Sequence, residues 1–331
     1  MSNVIFSDVQ AAKKRIRPFI NNTPVLESQL LNRWLGHKIM FKAECFQTTG
    51  AFKLRGALNM MLKAKEEGRL GNQVVASSSG NHAQAVAYAA NILGVKATIY
   101  SGQNISKVKA AATQYYGATL DLSATRKEAD EKVAEAAKKV GVLWMPPFNH
   151  RDIIAGQGTA ALEALEKTGE VNGVFAPVGG GGLISGSLIS TRYMYPKASV
   201  IGVEPLVAND AAESIRSGVI QSLTTQPNTL ADGAATLQVG EETFAHLQVL
   251  DGFYEVAETK IAYWTQWLQH LLKIHVEPTC AMTMAAVVEW LKLQNSEQKV
   301  LVILSGGNID QQKMLKIWQD DHLQQIPSLL I

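Results

Sequence analysis

The sequence predicts an α/β protein of two domains, each built on a mostly parallel sheet that is flanked by helices. Short apolar, β-branched runs alternate with longer Ala-rich segments of helical periodicity along most of the chain, which is typical of parallel βα units. The short runs are apolar on both faces, as expected of strands that helices cover on both sides. The length of 331 residues corresponds to about two domains.

The first series of strands and helices lies in the middle of the chain, between residues 73 and 147. Its predicted strands are Val74–Ala76, Ala97–Tyr100, Ala118–Leu122 and Val142–Met145. Its predicted helices are Ala83–Leu93, Asn104–Tyr116 and Arg126–Val140. The pair Pro146-Pro147 ends this series, because proline can continue neither a helix nor a central strand.

A second series follows the proline pair. Its predicted strands are Gly173–Pro177, Ser199–Val203, Phe253–Val256 and Val300–Leu304. Helices between them include Leu183–Arg192, Trp264–Leu272 and Ala281–Leu293. We therefore predict a small, mobile domain of residues 73–147 and a large domain made of residues 1–72 and 148–331.

The composition excludes several classes of protein. Lys and Arg number 31 against 29 Asp and Glu, so the charge of +2 gives no basic excess for nucleic acid. No span reaches the roughly 20 apolar residues of a membrane helix, and the N-terminus does not resemble a signal peptide. Two cysteines, Cys45 and Cys280, exclude a disulfide scaffold and favour a reduced, cytoplasmic protein.

The first candidate for covalent chemistry is Lys53, within the run Gln47–Ala57. It follows the aromatic Phe52 at the start of a predicted helix, where burial and the helix N-terminus both lower the pKa of a lysine. A neutral amine is the form that makes Schiff bases. Taken alone, the motif is more typical of a surface lysine at the start of an ordinary helix.

Two turns between a predicted strand and a predicted helix could bind an anion. The run Ser77–Gln84 could do so with free backbone N–H groups, although Ser and Asn there also suit an ordinary helix cap. Four consecutive glycines favour a phosphate at a helix N-terminus over a tight turn. These are Gly179, Gly180, Gly181 and Gly182.

Two further sets of polar residues follow predicted strands. Ser305, in the run Ser305–Asn308, could hydrogen-bond a ring nitrogen, although the run is also typical of a turn. Glu204 and Asp210, six residues apart on a predicted loop, could supply oxygen ligands to Mg or Ca. Spacing alone favours a solvated loop for the second set.

In combination, these residues resemble a known family. The lysine run, Ser-Gly-Asn-His at 79–82, the four glycines and Ser-Gly-Gly-Asn at 305–308 are similar to fold-type II pyridoxal-phosphate (PLP) enzymes. The branch is that of the serine/threonine dehydratases and serine racemases, whose fold is tryptophan synthase β-like. The resemblance runs from Pro24 to about Asp310.

The resemblance implies a role for each motif residue. Lys53 forms the Schiff base with PLP, Phe52 packs beside the ring and Asn81 hydrogen-bonds its phenolic oxygen. The four glycines cradle the phosphate, and Ser305 faces the pyridine nitrogen. The substrate pocket is lined by Ser78, Ser79, Asn81, His82, Asp232 and Thr236. A divalent cation (Mg, Ca or Mn) is held by Glu204, the carbonyl of Ala208, and Asp210.

The implied activity is that of an ammonia-lyase on L-threonine or L-serine. Lys53 removes the Cα proton, the β-hydroxyl leaves, and hydrolysis yields 2-oxobutanoate or pyruvate with ammonia. The alternative is a serine racemase, or a 3-hydroxyaspartate dehydratase. Ser79 stands where the racemases carry a serine and would act on the face of Cα opposite Lys53, whereas Phe148 resembles the dehydratases.

Other expectations stay open at this point. A 3-hydroxyaspartate enzyme needs an extra cation in the pocket, and Lys107, Arg151 or another residue could supply it. The family implies a homodimer. A dinucleotide-dependent oxidoreductase would explain the glycine run but not Lys53 or Ser305. A catalytically inactive PLP-binding protein is the remaining alternative, and a serine hydrolase is disfavoured because no Gly-x-Ser-x-Gly motif occurs.

Overall fold

The computed structural model describes residues 4–103 and 105–329, and these residues form two sheets with helices around them. The strands are β1 Val25–Glu27, β2 Lys38–Ala43, β3 Gln73–Ser77, β4 Lys96–Gly102, β5 Thr119–Ser123, β6 Val142–Trp144, β7 Gly173–Pro177, β8 Ser199–Pro205, β9 Gly252–Val256 and β10 Lys299–Leu304. The helices are α1 Phe6–Ile16, α2 Gln29–Leu35, α3 Lys53–Glu66, α4 Asn81–Leu93, α5 Lys107–Tyr115, α6 Arg126–Ala136, α7 Arg151–Thr168, α8 Gly182–Met194, α9 Asp210–Ser217, α10 Glu241–Leu247, α11 Glu258–Leu272, α12 Pro278–Ala281, α13 Thr283–Leu291 and α14 Gln311–Ile317.

The larger sheet has the strand order β1-β2-β10-β7-β8-β9 and the smaller one the order β5-β4-β3-β6. Every pairing is parallel except that of β1 with β2. The predicted α/β class with mostly parallel sheets is therefore confirmed. All strands of the smaller sheet lie between residues 73 and 144. The division into two domains, and the mobility of the smaller one, stay predictions.

Several elements differ from those that the sequence predicts. Strands β1 and β2 were not predicted, because β1 is three residues long and β2 carries a buried lysine, Lys42, in its apolar run. The helix expected over 281–293 is interrupted between α12 and α13. The helix expected to reach Val140 ends at Ala136. Asn104, the predicted start of α5, lies outside the described residues, and α5 begins at Lys107 after the cap Ser106.

Helix α3, which begins at Lys53, lies between the two sheets. Its buried Leu54 and Leu58 belong to the same apolar cluster as Val74 of β3 and Val86 of α4. On its other side α3 packs closely against α7, where a Cβ on Gly156 would come within 2.6 Å of the Gly56 Cα. The first residue of α3 is therefore held by contacts with elements of both sheets.

A largely buried charge cluster fixes the first turn of α3 on the side away from Lys53. The Arg55 guanidinium donates two hydrogen bonds to Glu44, at 2.7 and 2.8 Å, and two to Glu163, both at 2.8 Å. The Lys42 ammonium donates to Glu163 at 2.9 Å and to the Thr23 carbonyl at 2.9 Å. Two positive and two negative charges thus balance, which is the condition for burying them.

Two expectations about the whole chain can be compared with this structure. No helix within the described ranges is long and apolar enough to cross a membrane. Cys45 and Cys280 are free thiols.

Candidate active site

The Lys53 side chain lies half-buried at the start of α3, as the sequence predicted. Its Nζ donates a hydrogen bond of 2.7 Å to the Pro147 carbonyl and lies 5.2 Å from the centre of the Phe52 ring. Burial lowers the pKa of Lys53 to about 8, although the Glu277 carboxylate opposes this change. A neutral amine, the nucleophilic form, is therefore accessible near neutral pH.

Backbone hydrogen bonds hold the turn after β10 beside Lys53. Phe52 N–H donates to the Ser305 carbonyl at 2.9 Å, and Gly307 N–H donates to the Gly50 carbonyl at 3.0 Å. Ser305 itself is buried. The lysine run and the Ser305–Asn308 run, distant in sequence, therefore form one wall of the site.

Glu277 is a site residue that the sequence reasoning missed as a functional group. Its carboxylate is buried and accepts hydrogen bonds from Asn81 Nδ2, at 3.0 and 3.3 Å, and from Ser305 Oγ, at 3.3 Å. Burial raises the pKa of Glu277 to about 7. A glutamate directly before a proline that opens a helix, within an apolar stretch, is the signal that could have indicated it.

The loop from β3 to α4 brings the predicted substrate-binding residues to the same site. Ser78 is buried and Ser79 is half-buried. The His82 Nε2 donates to the Met145 carbonyl at 2.8 Å, and burial, together with the nearby Lys53 charge, lowers the pKa of His82 to about 3. This histidine is therefore neutral, and its Nε2–H is directed at the backbone after β6.

The four glycines form the turn from β7 to α8, as predicted. Gly181 has a φ of +88°, which favours glycine, and a Cβ on Gly180 would lie 2.1 Å from the Phe148 ring. Thr243 Oγ1 donates to the Gly180 carbonyl at 2.7 Å and fixes the turn. The first N–H groups of α8 have no partner within the helix, as in anion sites at helix N-termini.

Asp232 and two lysines form an ion cluster at this site. Lys109 Nζ lies 2.5 Å and Lys313 Nζ 2.9 Å from the Asp232 carboxylate. Burial alone would raise the pKa of Asp232, but the two ammonium groups overcome it and hold that pKa below its usual range. Thr236 packs near the glycine turn, since a Cβ on Gly179 would lie 3.5 Å from its methyl group.

The cations beside Asp232 are not the two that the sequence analysis named. Lys107 is exposed, and Arg151 lies at the start of α7, where it pairs with Asp8 at 3.4 Å. Lys109 is the third residue of α5, and Lys313 is the third residue of α14, so only the folded chain places them together. No short motif in the sequence could have indicated this convergence.

Glu204 and Asp210 lie close together and are buried, but Glu204 does not lie on a loop as predicted. It is the sixth residue of β8, where it pairs with Glu255 of β9, and Asp210 is the first residue of α9. The Glu204 carboxylate accepts from the Ala212 N–H at 2.7 Å. Burial raises the pKa of Glu204 to about 9 and that of Asp210 to about 7.

This carboxylate pair has unused acceptor capacity. Both Asp210 oxygens are buried and have no hydrogen bond of ordinary length to the described part of the chain. Among the residues that the structure describes, no cluster of three or more His, Cys, Asp or Glu side chains could hold a metal ion. Any cation here would therefore depend on two carboxylates together with backbone carbonyls and water.

The residues present fit a bound PLP. A half-buried amine of lowered pKa, Lys53, lies beside an aromatic ring, and a glycine turn opens a helix whose N–H groups suit a phosphate. Asn81 and Ser305 share the Glu277 carboxylate, so both reach the same space. Fold and site together define a lysine-dependent PLP enzyme.

Comparisons with known proteins agree. The sequence model of the family described as "Pyridoxal-phosphate dependent enzyme" matches residues 16–306, and the chain belongs to this family. It is 42% identical to the L-threo-3-hydroxyaspartate ammonia-lyase of Saccharomyces cerevisiae over 93% of this chain and 94% of that one. It is 39% identical to the serine racemase of Schizosaccharomyces pombe over 92% and 94% of the two chains.

A solved structure shows the same fold. The serine racemase of Dictyostelium discoideum is 37% identical, covers 93% of this chain and 100% of its own, and has a TM-score of 0.87. The resemblance drawn from the motifs, and with it the two-domain fold-type II architecture of the neighbours, is confirmed. The roles of the individual site residues stay predictions, because no comparison tests them.

Proposed function

We propose that this protein is an ammonia-lyase that acts on L-threo-3-hydroxyaspartate and on L-serine. The observation that carries the proposal is the Lys53 amine, half-buried and with its pKa lowered to about 8, in the space that Asn81 and Ser305 also reach. The Saccharomyces cerevisiae relative, whose name gives this ammonia-lyase activity, supports the substrate. L-threonine, which the sequence led us to expect together with L-serine, has the weaker support.

Each site residue has a defined task in this reaction. PLP, when bound, supplies the electron sink that makes the substrate Cα proton acidic and lets the β-hydroxyl leave. The first N–H groups of α8 would bind its phosphate, and Ser305, a neutral hydroxyl, would interact with its ring nitrogen. The Lys53 Nζ takes the Cα proton, and its low pKa keeps it able to do so near neutral pH.

The groups around Lys53 orient its amine and place no competing charge beside it. The Pro147 carbonyl accepts a hydrogen bond from Nζ and orients it, while His82, held neutral against the Met145 carbonyl, adds no competing charge. The half-buried Ser79 and buried Ser78 present hydroxyl and backbone groups for the substrate carboxylate. The substrate is then held while Lys53 acts on one face of Cα.

A substrate with a second carboxylate needs a cation beside the pocket. Lys109 and Lys313 are the cations that the structure places on Asp232, a residue of the predicted pocket. We propose that Lys313 binds the second carboxylate of 3-hydroxyaspartate. Of the two ammonium groups, it has the longer contact with Asp232, at 2.9 Å, whereas Lys109 also faces Glu277 and Asp310.

Serine racemisation is the second candidate, and Ser79 favours it. A hydroxyl on the loop opposite Lys53 could return a proton to the other face of Cα. The Schizosaccharomyces pombe relative, a serine racemase by name, also supports it. The two activities share Lys53 and differ in their dependence on Ser79.

We also propose a divalent cation, Mg, Ca or Mn, on Glu204, Asp210 and the Ala208 carbonyl. The unused oxygens of Asp210 and the raised pKa of both carboxyls support a missing positive charge, and an all-oxygen donor set suits these ions. The cation would stabilise the β8–α9 junction at a distance from the chemistry. A cytoplasmic location also stays a prediction.

The experiment that tests the function follows products by chiral amino-acid analysis and an ammonia assay. The holoenzyme is given L-threo-3-hydroxyaspartate, L-serine or L-threonine. We expect ammonia from the first two, with the higher kcat/KM for 3-hydroxyaspartate. Ammonia from threonine alone would contradict the substrate. The unmodified protein could also form D-serine from L-serine. If a Ser79→Ala variant forms no D-serine but still releases ammonia, racemisation is assigned to Ser79.

Replacement of Lys313 tests the cation separately. Lys313→Gln should raise the KM for 3-hydroxyaspartate by about tenfold, the size of one charge-assisted hydrogen bond, and leave the KM for L-serine within about twofold. Lys316→Gln, at an exposed position of the same helix, is the matched control. An equal effect of Lys313→Gln on both substrates would contradict the assignment.

A further inference from the structure

We propose that Asn308 is a positioning residue for the cofactor, because together with Glu277 it fixes which way round the Asn81 amide lies. The sequence analysis gave Asn308 no role of its own. The inference rests on the proposed binding of PLP between Lys53, Asn81 and Ser305, and it concerns how the protein orients one group toward that cofactor.

The orientation of Asn308 follows from its surroundings. Its Nδ2 lies 2.8 Å from the Thr49 carbonyl, which can only accept a hydrogen bond, so the NH2 group must face that carbonyl. Its Oδ1 lies against Gly50, where an added Cβ would come within 2.5 Å of it. Gly50 has a φ of +72° and is a glycine at a position that needs one. The amide of Asn308 is therefore held one way round.

The orientation of Asn81 follows from that of Asn308. The second hydrogen of Asn308 Nδ2 is donated to Asn81 Oδ1 over 2.9 Å. Since an oxygen of Asn81 must face this donor, its NH2 group points the other way, toward the Glu277 carboxylate at 3.0 Å. Thr49, Asn308, Asn81 and Glu277 form one chain of hydrogen bonds in which every donor meets an acceptor.

This orientation decides whether Asn81 helps or opposes the cofactor. With one hydrogen of its NH2 group on Glu277, Asn81 keeps the other to donate to the phenolic oxygen that the family resemblance assigns to it. Turned over, it would present Oδ1 to that oxygen, and two acceptors would face each other. Asn308 therefore acts on the cofactor through Asn81, without touching it.

Two substitutions of Asn308 separate orientation from packing. Asn308→Asp replaces the NH2 donor by a carboxylate, which attracts the Asn81 NH2 group and turns Asn81 over. Asn308→Ala removes one of the two groups that orient Asn81 and leaves Glu277, so the NH2 group keeps its direction less firmly and the effect should be smaller than that of Asn308→Asp. A packing role would make the alanine variant, which loses more atoms, at least as damaging as the aspartate variant.

The readouts are the equilibrium affinity of the apoprotein for PLP and the pH at which the absorbance of the bound cofactor changes. We expect Asn308→Asp to weaken PLP binding by about tenfold, the equivalent of one hydrogen bond. Asn308→Ala should weaken PLP binding by less, about threefold, because Glu277 still orients Asn81. The spectral transition should move up by about 1 pH unit in Asn308→Asp, because a phenolic oxygen without its donor holds a proton more tightly.

Matched variants set the scale of these effects. Asn81→Asp removes the same NH2 group directly and should shift the spectral transition as far as Asn308→Asp does. Asn91→Asp, at an exposed position of the same helix, makes the same charge change away from the site and should shift nothing. Thermal unfolding of each apoprotein shows whether it is folded.

The outcomes are distinct. An alanine variant as impaired as the aspartate variant, or an aspartate variant with an unshifted spectrum, would overturn the positioning role and leave the proposed function intact. If Asn308→Asp does not fold, the alanine variant decides. A folded Asn308→Ala protein that binds PLP as weakly as Asn81→Asp would then overturn the positioning role as well. An unmodified protein that binds no PLP would overturn both.

Discussion

Two backbone carbonyls after β6 set the chemistry at the centre of the site. The Met145 carbonyl orients the His82 ring, which burial and the Lys53 charge keep neutral, and the Pro147 carbonyl holds the Lys53 amine. Because burial lowers the pKa of Lys53 to about 8, the amine should be neutral at a pH where an exposed lysine is charged. Both acceptors are main-chain atoms, so their presence here could not be predicted from side-chain motifs.

The capture of PLP by the apoprotein tests this pKa. The rate should rise with pH and level off above about pH 8, because only the neutral amine attacks the aldehyde and the lowered pKa makes it neutral earlier. Stopped-flow absorbance measures it. Lys53→Ala is the control and should give no Schiff-base absorbance. A rate that keeps rising up to about pH 10, the range of an unperturbed lysine, would show an ordinary lysine.

The Glu204 and Asp210 carboxyls predict how stability depends on pH without metal. The folded state binds their protons more tightly than the unfolded chain, whose pKa values are about 4. Stability from this site is therefore full below about pH 4 and is lost as pH rises through about 7 and then 9. In chelator, the thermal midpoint of the unmodified protein should be lower at pH 8 than at pH 6. This difference between the two pH values should be smaller in Glu204→Gln.

Metal addition gives the complementary result. Mg or Ca should raise the thermal midpoint of the unmodified protein at pH 8, because the cation replaces the lost protons. Glu204→Gln should respond less. An unmodified protein with the same midpoint in chelator and in millimolar Mg, Ca or Mn would rule out the site.

At the scale of elements, the buried cluster behind α3 is the strongest restraint on the lysine. Arg55 makes four short hydrogen bonds to Glu44 and Glu163; Arg55 and Glu44 are buried and Glu163 is nearly so. Arg55→Met should cost about 3–5 kcal/mol of unfolding free energy, because it leaves the buried Glu44 carboxylate without its guanidinium and Glu163 with Lys42 alone. Urea denaturation measures it.

An exposed arginine provides the comparison for that variant. Arg69→Met removes a surface ion pair with Glu67 and should cost about 0–1 kcal/mol. If the Arg55 and Arg69 variants unfolded at the same urea concentration, the cluster would contribute no more than a surface pair. PLP affinity, measured in parallel, should fall only in the Arg55 variant, because α3 carries Lys53.

The elements that were predictable are those with local signals. A strand, a run of small residues and a helix follow one another at 77–82 and 178–183, and both junctions lie where the sequence placed them. The ion cluster at Asp232 joins residues 123 positions apart, and Asn81 meets Glu277 over 196 positions. Such contacts depend on how the two sheets pack together, which no local pattern encodes.

Boundaries failed where tertiary packing overrode local periodicity. The sequence is helical in pattern from Ala281 to Leu293, yet the helix is interrupted at Met282, between α12 and α13. The apolar pattern of strand β2 is interrupted by Lys42, whose hydrogen-bonded carboxylate partner, Glu163, comes from the distant helix α7. Likewise Glu204 was placed on a loop, because its β9 partner lies far along the chain.

At the scale of the whole molecule, we propose a homodimer. The charged fraction of 18% is low, and the surface carries an aromatic stack of Phe6 on the exposed Tyr193, with ring centres 3.7 Å apart. Sedimentation at micromolar concentration should give twice the chain mass of 35.9 kDa. Tyr193→Glu should lower that mass. A single-chain mass for the unmodified holoenzyme would contradict the dimer.

The central claim is that Lys53 of a PLP-loaded chain removes the Cα proton of a β-hydroxy amino acid and releases ammonia. The most direct measurement is a proton NMR time course of the holoenzyme in deuterated water with L-threo-3-hydroxyaspartate or L-serine. The unmodified protein should convert the amino acid to a 2-oxo acid, while Lys53→Ala should return it unchanged, with no deuterium at Cα. Turnover by Lys53→Ala at the rate of the unmodified protein would contradict the claim.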